Sequence, residues 1–184
     1  AGLYGADSKL GVLRSSDGGV TWTEEGLLCD GSGDDRPYSY HGGFLSGTSD
    51  GTLIVIAFRA DRSRPDQRMF SETGGLIENE PILFFSDDGG RTWSRPRPFV
   101  LPEGLVATPA SSVVELKDGS LLATFDRWLG YDDPEPYKPC MLAFRSQDRG
   151  RSWEEMVVMA DGEAEGKGFW HGRTIRLLDG RLYT

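Results

Sequence analysis

The sequence SSDGGVTW, from Ser15 to Trp22, returns twice in this chain, as SDDGGRTW from Ser86 to Trp93 and as SQDRGRSW from Ser146 to Trp153. All three copies fit the pattern Ser-x-Asp-x-Gly-x-(Thr/Ser)-Trp, and an apolar run of the kind that forms a β-strand precedes each copy. Complete copies at such intervals predict one supersecondary unit that is repeated along the chain.

Each position of the pattern suits a tight turn between two strands. An aspartate carboxylate can accept backbone N–H bonds inside a turn, a glycine can adopt positive φ, and a tryptophan can bury a large ring between neighbouring strands. We therefore predict that the pattern is structural and lies away from any binding site. Its structural residues are Asp17, Gly19, Trp22, Asp88, Gly90, Trp93, Asp148, Gly150 and Trp153.

A second repeated feature precedes the second and third copies. It consists of an apolar strand, an Asp-Gly turn and another apolar strand; it occupies residues 44–58 and 112–125 and begins again at 174–183. Together with the strands that flank each Ser-to-Trp pattern, it predicts an antiparallel meander of four strands, A to D, in each unit. Strands C and D are predicted at 82–85 and 92–100, and again at 141–145 and 152–159.

The eight-residue pattern resembles the Asp-box (BNR) repeat of the sialidase superfamily. The resemblance implies an all-β fold, a sialidase-like β-propeller of four-stranded antiparallel blades that has six blades when complete. On this interpretation residues 1–25 supply strands C and D of one blade, 41–101 and 106–160 are whole blades, and 169–184 begin the next. We expect the remaining blades to belong to a longer protein; an open three-blade solenoid is the alternative.

The composition limits the classes of partner. A formal net charge of −9 and a pI of about 4.7 predict repulsion from nucleic acid, and no apolar run approaches the ~18 to 20 residues of a membrane span. Cys29 and Cys140 are too few for a disulfide framework and are expected to be free thiols. The chain has 16 arginines and only 4 lysines, which is compatible with a carboxylate-bearing ligand or with biased base composition.

Candidate site residues collect at one end of the predicted blades. Because strand direction alternates in a meander, the A–B turns and Asp boxes share one end, while the starts of strand A and the B–C loops share the other. Loops at one end of a rigid β scaffold often carry function, and the loop at 59–68 holds four arginines. Arg59 and Arg127 occupy equivalent positions and are predicted to bind substrate. The alternative is that Arg59 or Arg62 forms a salt bridge with Asp61, and Arg127 one with Asp126.

Both histidines are predicted to lie at this same end. His41 and His171 each follow an aromatic residue and precede a glycine, just before a predicted strand A. Together with Arg62 and Arg173 they are predicted substrate-binding residues. No third ligand accompanies the two histidines, so neither a metal site nor a cofactor is predicted.

The resemblance to sialidases also implies catalytic roles. Sialidases typically open an early blade with Arg-Ile-Pro, whereas this chain has HGG at residues 41–43, which removes one arginine of the triad that clamps the sialic acid carboxylate. The sequence from Arg59 to Asp66 resembles the sialidase strand end and acidic loop. Asp61 or Asp66 is therefore the expected acid/base, and Arg59 and Arg62 the expected ligands of an anionic group. In the family a tyrosine nucleophile with a glutamate partner comes from later blades.

Three functions remain open from the sequence. The first is a sialidase-like glycoside hydrolase, exo-acting on an acidic glycan, and secreted or periplasmic. The second is a non-catalytic carbohydrate- or protein-binding propeller, and the third is a lyase or a hydrolase that uses the two histidines. An acid with a raised pKa beside an arginine would favour the first. In the second, the stacking residues would be Trp128, Tyr131, Tyr137 and Trp170.

Overall fold

The computed structural model describes residues 5–134 and 139–184, and the regular structure within them consists of β-strands and one short 3₁₀ helix. All paired strands in these residues are antiparallel, which confirms the predicted all-β fold. The strands are β1 (Leu10–Arg14), β2 (Thr23–Cys29), β3 (Tyr38–Gly47), β4 (Leu53–Asp61), β5 (Asn79–Ser86), β6 (Arg97–Pro98), β7 (Val106–Pro109), β8 (Val114–Glu115), β9 (Leu121–Trp128), β10 (Met141–Ser146), β11 (Glu154–Ala160), β12 (Ile175–Arg176) and β13 (Leu182–Tyr183), and the 3₁₀ helix is Glu163–Glu165.

The strands form four sheets that follow one another along the chain. The first pairs β1 with β2, the second has the order β3-β4-β5-β6, the third has the order β7-β9-β10-β11, and the fourth pairs β12 with β13. Strand β8 pairs with β9 in the third sheet. The second and third sheets are the predicted four-strand meanders, and the sheets do not close into a ring within the described residues.

Two predicted strands are shorter or divided in the structure. Strand D of the second sheet is reduced to β6, because Pro96 and Pro98 have no amide hydrogen to donate to a neighbouring strand. Strand A of the third sheet is divided into β7 and β8. The residues between them turn toward the fourth sheet, where the Ser111 hydroxyl accepts the backbone N–H of Thr174 at 3.2 Å.

Other strands extend further than the sequence predicted. Strand β3 begins at Tyr38, whose pairing partner is Asp61 at the end of β4. His41 therefore lies inside strand A rather than before it, and Arg59 and Asp61 lie in strand B rather than in the following loop. Both faces of this end of the ladder are covered, because Tyr40 is buried on one face and Ala60 on the other.

The largest core lies between the second and third sheets and centres on aromatic side chains. Phe99 lies 4.6 Å from Phe125, 5.4 Å from Phe144 and 4.9 Å from Trp153, measured between ring centroids. These tilted, edge-on and stacked contacts add to the area that the rings bury. The core therefore fixes the orientation of the two complete sheets.

The three Asp boxes have the predicted turn structure. Asp17 accepts the N–H groups of Val20 and Thr21, and Asp88 and Asp148 accept the equivalent pairs in their own turns. Hydrogen bonds from the side chain and backbone of the same turns lower the pKa of all three carboxyl groups, that of Asp148 to about 2. The aspartates are therefore ionised residues that hold their own turns.

Neighbouring sheets meet at these boxes. Arg14, which precedes the first box, donates to the Gly89 carbonyl of the second box at 3.0 Å. Phe85, which precedes the second box, packs so close to Gly150 of the third that a Cβ there would lie 3.3 Å from its ring. In addition, Trp153 stacks on Phe99 of the preceding sheet. The second and third boxes are thus each completed by residues of the sheet before them.

A backbone contact fixes the loop after β4 against the third sheet. The Leu76 N–H donates to the Leu129 carbonyl at 2.9 Å, and a Cβ on Gly75 would lie 2.2 Å from the Gly130 oxygen. Only glycine allows this approach at position 75. The loops that leave β4 and β9 are consequently held together.

Two further features of the described residues are the state of the cysteines and the absence of a membrane-spanning helix. Cys29 is half-buried, Cys140 is buried, and both are free thiols. Within the described part of the chain no helix has the length and apolar character needed to cross a bilayer.

Candidate active site

The ends of the strands that lie opposite the Asp boxes form one edge of the second and third sheets. Tyr38 at the start of β3 pairs with Asp61 at the end of β4, and Val106 at the start of β7 pairs with Trp128 at the end of β9. The boxes connect β5 to β6 and β10 to β11 at the other end. We call the edge with these strand starts and ends the mouth.

Arg59 is held by two carboxylates and an aromatic ring. Its guanidinium lies 2.6 Å from Glu80 and 3.2 Å from Asp34, and it stacks 4.2 Å from the centre of the Tyr38 ring. The sequence allowed a salt bridge with Asp61 as the alternative to substrate binding; the observed partners are different carboxylates. Arg59 therefore stabilises the junction between β3, β4 and β5.

Asp61 also lies in an ion pair. Its carboxylate is 2.9 Å from an Arg36 nitrogen and accepts the backbone N–H of Ser63 at 2.7 Å. Burial raises the pKa of this carboxyl, but the hydrogen bonds from Ser63 and Arg36 outweigh burial, and the net pKa is lowered. Asp61 is thus ionised and is a poor proton donor near neutral pH, whereas Asp66 is exposed to solvent.

Arg62 is buried, with 8% of its surface exposed, and it shares a hydroxyl group with a histidine. Its Nε donates to Ser39 Oγ at 2.7 Å, and the same oxygen lies 2.8 Å from His41 Nε2. The Ser39 hydroxyl therefore connects Arg62 to His41. Burial and the nearby Arg62 charge lower the His41 pKa to about 4, so His41 is neutral at physiological pH.

The guanidinium of Arg62 has few partners that could stabilise its positive charge. Its Nη1 is buried without a hydrogen-bond partner, and no ion pair joins Arg62 to a carboxylate in residues 5–134 and 139–184. Burial lowers the Arg62 pKa for the same reason. A buried, incompletely paired guanidinium is expensive unless an anion accompanies it.

Asp126 and His171 form the second titratable group at the mouth. Asp126 lies in β9 and is 1% exposed, and its Oδ1 accepts the His171 backbone N–H at 2.9 Å. The His171 Nδ1 lies 3.4 Å from Asp126 Oδ2. Burial raises the pKa of Asp126, and the His171 contacts and the Arg173 charge only partly offset this effect.

Arg173 connects this group to the second sheet. Its guanidinium lies 4.8 Å from the centre of the Phe44 ring and donates to the Ala110 carbonyl. Arg127 is exposed, and because side chains alternate along a strand it projects from the face of β9 opposite to Asp126. The expected alternative pairing of Arg127 with Asp126 is therefore replaced by the pairing of Asp126 with His171.

The aromatic residues predicted to stack on a ligand have different surroundings in the structure. Trp128 donates to Thr108 Oγ1 at 2.9 Å and packs 5.3 Å from the Phe70 ring, so it contributes to the fold. Trp170 contacts His171 edge to face at 6.5 Å. Tyr131 lines a cleft of about 430 Å³ together with Asp61, which is a volume that suits a small ligand. Tyr137 lies outside the described residues.

The structure thus brings the predicted residues together in two groups. One joins Arg62 and His41 through Ser39 at the end of the second sheet, and the other contains His171 and Arg173 with Asp126 at the third. Arg59 and Asp61 pair with Tyr40 and Tyr38, and therefore lie on the opposite face of the β3–β4 pair from Ser39. Sequence reasoning treated Asp126 only as a salt-bridge partner. A signal was present, because Asp126 stands seven residues after its turn glycine, where the second unit has the apolar Phe58. In the described residues no group of three or more metal-ligating side chains is arranged to hold an ion.

Comparisons with known proteins agree with this architecture. Residues 84–95 match the BNR/Asp-box repeat family. No curated protein gives a significant sequence match. Among solved structures, the Hadza microbial sialidase Hz136 is 23% identical to this chain with a TM-score of 0.63, over 79% of this chain and 30% of that protein.

Two further solved structures cover nearly the whole chain. A protein of unknown function from Dyadobacter fermentans is 23% identical with a TM-score of 0.60, and the α-L-arabinanase of Penicillium chrysogenum, solved with arabinobiose, is 14% identical with a TM-score of 0.58. Each covers 94% of this chain, which itself spans 42% and 46% of those two proteins. At these identities the likeness concerns the fold. The chain has a sialidase-like fold that is built from BNR/Asp-box repeats.

Proposed function

We propose that this chain belongs to a glycoside hydrolase that binds an acidic glycan at the mouth, opposite the Asp boxes. The observation that carries the proposal is Asp126, a buried carboxyl with a raised pKa beside His171 and Arg173. Perturbed titratable groups of this kind cluster at sites of acid and base catalysis. A sialidase and an arabinanase among the structural neighbours support a hydrolase at the level of the fold.

The arginines of the mouth have different proposed roles. Arg62 and Arg173 would bind the anionic group of the glycan, because neither forms an ion pair with an aspartate or glutamate strong enough to neutralise it in the described residues. Arg59 would instead hold the strand ends in place through Glu80 and Asp34. Asp66 is the better of the two predicted acids, since Asp61 is held ionised by Arg36. We further infer an exo-acting enzyme of six blades that works outside the cytoplasm.

A panel of fluorogenic glycosides tests the proposal. The protein that carries this chain would be assayed on an α-sialoside, a β-glucuronide and an α-L-arabinofuranoside, beside the Asp126→Asn, Asp66→Asn and Arg62→Gln variants. Arg91→Ala is the matched control, because Arg91 is an exposed box residue. We expect hydrolysis of an acidic glycoside, a loss of about 10²-fold or more in kcat for the aspartate variants, and an unchanged control. Absence of hydrolysis of all three glycosides would overturn the proposal.

A non-catalytic glycan-binding role is the second candidate. It is favoured by the ion pairs that occupy Arg59 and Asp61, two of the residues predicted to act in catalysis, and by the cleft that Tyr131 lines. Binding of the intact sialoside or glucuronide in calorimetry, without any turnover, would support this second role.

A further inference from the structure

We propose that His171 is the proton-transfer group of the mouth and that Asp126 is its positioning residue, an inference that rests on the proposed hydrolase function. A histidine acts in this way when one ring nitrogen is oriented by a partner and the other faces the substrate. The argument depends on the geometry of the pair, on the difference in exposure between its members and on the backbone that holds it.

The geometry assigns different tasks to the two imidazole nitrogens. Asp126 Oδ2 lies 3.4 Å from His171 Nδ1, and Asp126 Oδ1 accepts the backbone N–H of the same histidine at 2.9 Å. A carboxylate beside Nδ1 favours the tautomer with its hydrogen on that atom. The lone pair of the neutral ring is then on Nε2, on the side away from Asp126.

The solvent exposure of the two side chains determines whether His171 or Asp126 can contact a substrate. The side chain of His171 is 64% exposed, whereas that of Asp126 is 2% exposed. Asp126 thus cannot reach a glycan in this conformation, but the imidazole above it can. The other histidine offers no such group, because Ser39 occupies His41 Nε2 and burial keeps the His41 ring neutral.

The backbone at His171 is held in an uncommon conformation. His171 has φ of 56°, in the left-handed region that residues with a Cβ seldom adopt. It is fixed there by the hydrogen bond to Asp126 and by the Phe169 N–H, which donates to the Pro139 carbonyl at 3.1 Å. Such outliers persist where the surrounding structure imposes them, and they concentrate at functional sites.

The chemistry balances with His171 as the base and water as the proton source. Nε2 of His171 accepts a proton from a water molecule, whose oxygen forms a bond to the anomeric carbon. The bond from that carbon to the glycosidic oxygen breaks with its electron pair, and this oxygen takes a proton from solvent. The imidazolium later releases its proton to solvent, so the ring returns to its starting state.

Three charged groups surround the ring of His171. Asp126 faces it, and Arg173, two residues along the same segment, lowers the pKa of Asp126 and so favours its carboxylate form. Arg127 projects from the other face of β9. We expect the pH profile of kcat/KM to change in Asp126→Asn, because this variant removes the carboxylate beside the ring.

The first experiment reads the pair directly, without a substrate. The two histidines of this chain are His41 and His171, and ¹⁵N-histidine spectra of the protein, of its His41→Gln variant and of its His171→Asn variant assign both rings. At neutral pH we expect His171 to carry its hydrogen on Nδ1, and a shift toward the Nε2–H tautomer in Asp126→Asn. A wild-type His171 that carries its hydrogen on Nε2, or no change in Asp126→Asn, would overturn the pairing.

The second experiment asks whether the ring transfers protons. On the hydrolysed glycoside of the panel, His171→Asn, which tolerates the left-handed backbone, is expected to lower kcat by about 10²- to 10⁴-fold. Free imidazole should restore part of the activity of His171→Gly, but none to Asp66→Asn. A His171→Asn variant that retains wild-type kcat, or a His171→Gly variant without rescue, would overturn the role while leaving the hydrolase function intact. A protein that hydrolyses no glycoside would overturn the proposed function, and the tautomer measurement would still decide the pair.

Discussion

The third Asp box contains a backbone strain that a single substitution should relieve. Arg149 has φ of 62°, and the equivalent residues of the other two boxes are Gly18 at 76° and Gly89 at 72°. A left-handed conformation costs an L-residue with a Cβ about 1–2 kcal/mol, and glycine avoids this cost. The greater freedom of glycine in the unfolded chain offsets about 0.5–1 kcal/mol of the gain. The side chain of Arg149 contacts Asp50 of the preceding sheet, but it is 78% exposed and this ion pair contributes little.

Arg149→Gly should therefore raise the free energy of unfolding by about 0.5–1 kcal/mol, which corresponds to an increase of about 1–4 °C in Tm for a chain of this size. Arg149→Ala is the matched control, because it removes the same ion pair and keeps the strain. Both variants would be compared with the wild type by calorimetry and by urea denaturation. If the glycine variant is no more stable than the alanine variant, the left-handed strain at this position is not a source of instability and the reasoning fails.

Three further predictions follow from the core, the boxes and the exposed sheets. Phe99→Ala should lower the free energy of unfolding by about 3–5 kcal/mol in urea denaturation, because it empties the centre of the aromatic core, whereas Val100→Ala, at an exposed neighbour, should change it by less than about 0.5 kcal/mol. Asp148 has a pKa of about 2 in the folded protein against an ordinary value of 3.8, so its contribution to the stability of the fold is complete above pH 3.8 and is lost as the pH falls toward 2. Asp148→Asn should therefore flatten this part of the curve of Tm against pH. An unchanged curve would contradict the role of Asp148 in the turn. The chain alone should self-associate and bind a hydrophobic dye, because Trp22 and Tyr183 are exposed on its first and last sheets; a monodisperse monomer in light scattering that binds no dye would contradict this.

The parts of the fold that the sequence predicted are those in which the determining residues lie close together. The Asp boxes are eight-residue units in which the backbone N–H groups that the aspartate accepts belong to its own turn. The meander order of the second and third sheets also followed from the order of apolar runs and turns. Strand ends were less accurate, because the extension of β3 to Tyr38 depends on pairing with Asp61, which is distant in the sequence.

The site was less predictable because its contacts cross between elements. The partners of Arg59 are Asp34, from the loop before β3, and Glu80, from the neighbouring strand, and no local pattern connects them. The pairing of Asp126 with His171 joins the third sheet to the segment before the fourth. Repeat comparison could have indicated Asp126, since an apolar residue holds the same place in the second unit, but its partner could be found only in three dimensions.

The contacts of Arg14 with Gly89 and of Phe85 with Gly150 also bear on how such a protein can change its length during evolution. The second unit makes both kinds of contact: its box accepts a hydrogen bond from Arg14 of the unit before it, and Phe85, just before that box, packs on the box of the following unit. A duplicated unit would bring both halves with it and could enter the series without new surfaces having to arise. A substitution that destabilises one box should likewise destabilise mainly the two units that share it. Distant units can therefore diverge in sequence and acquire different ligands.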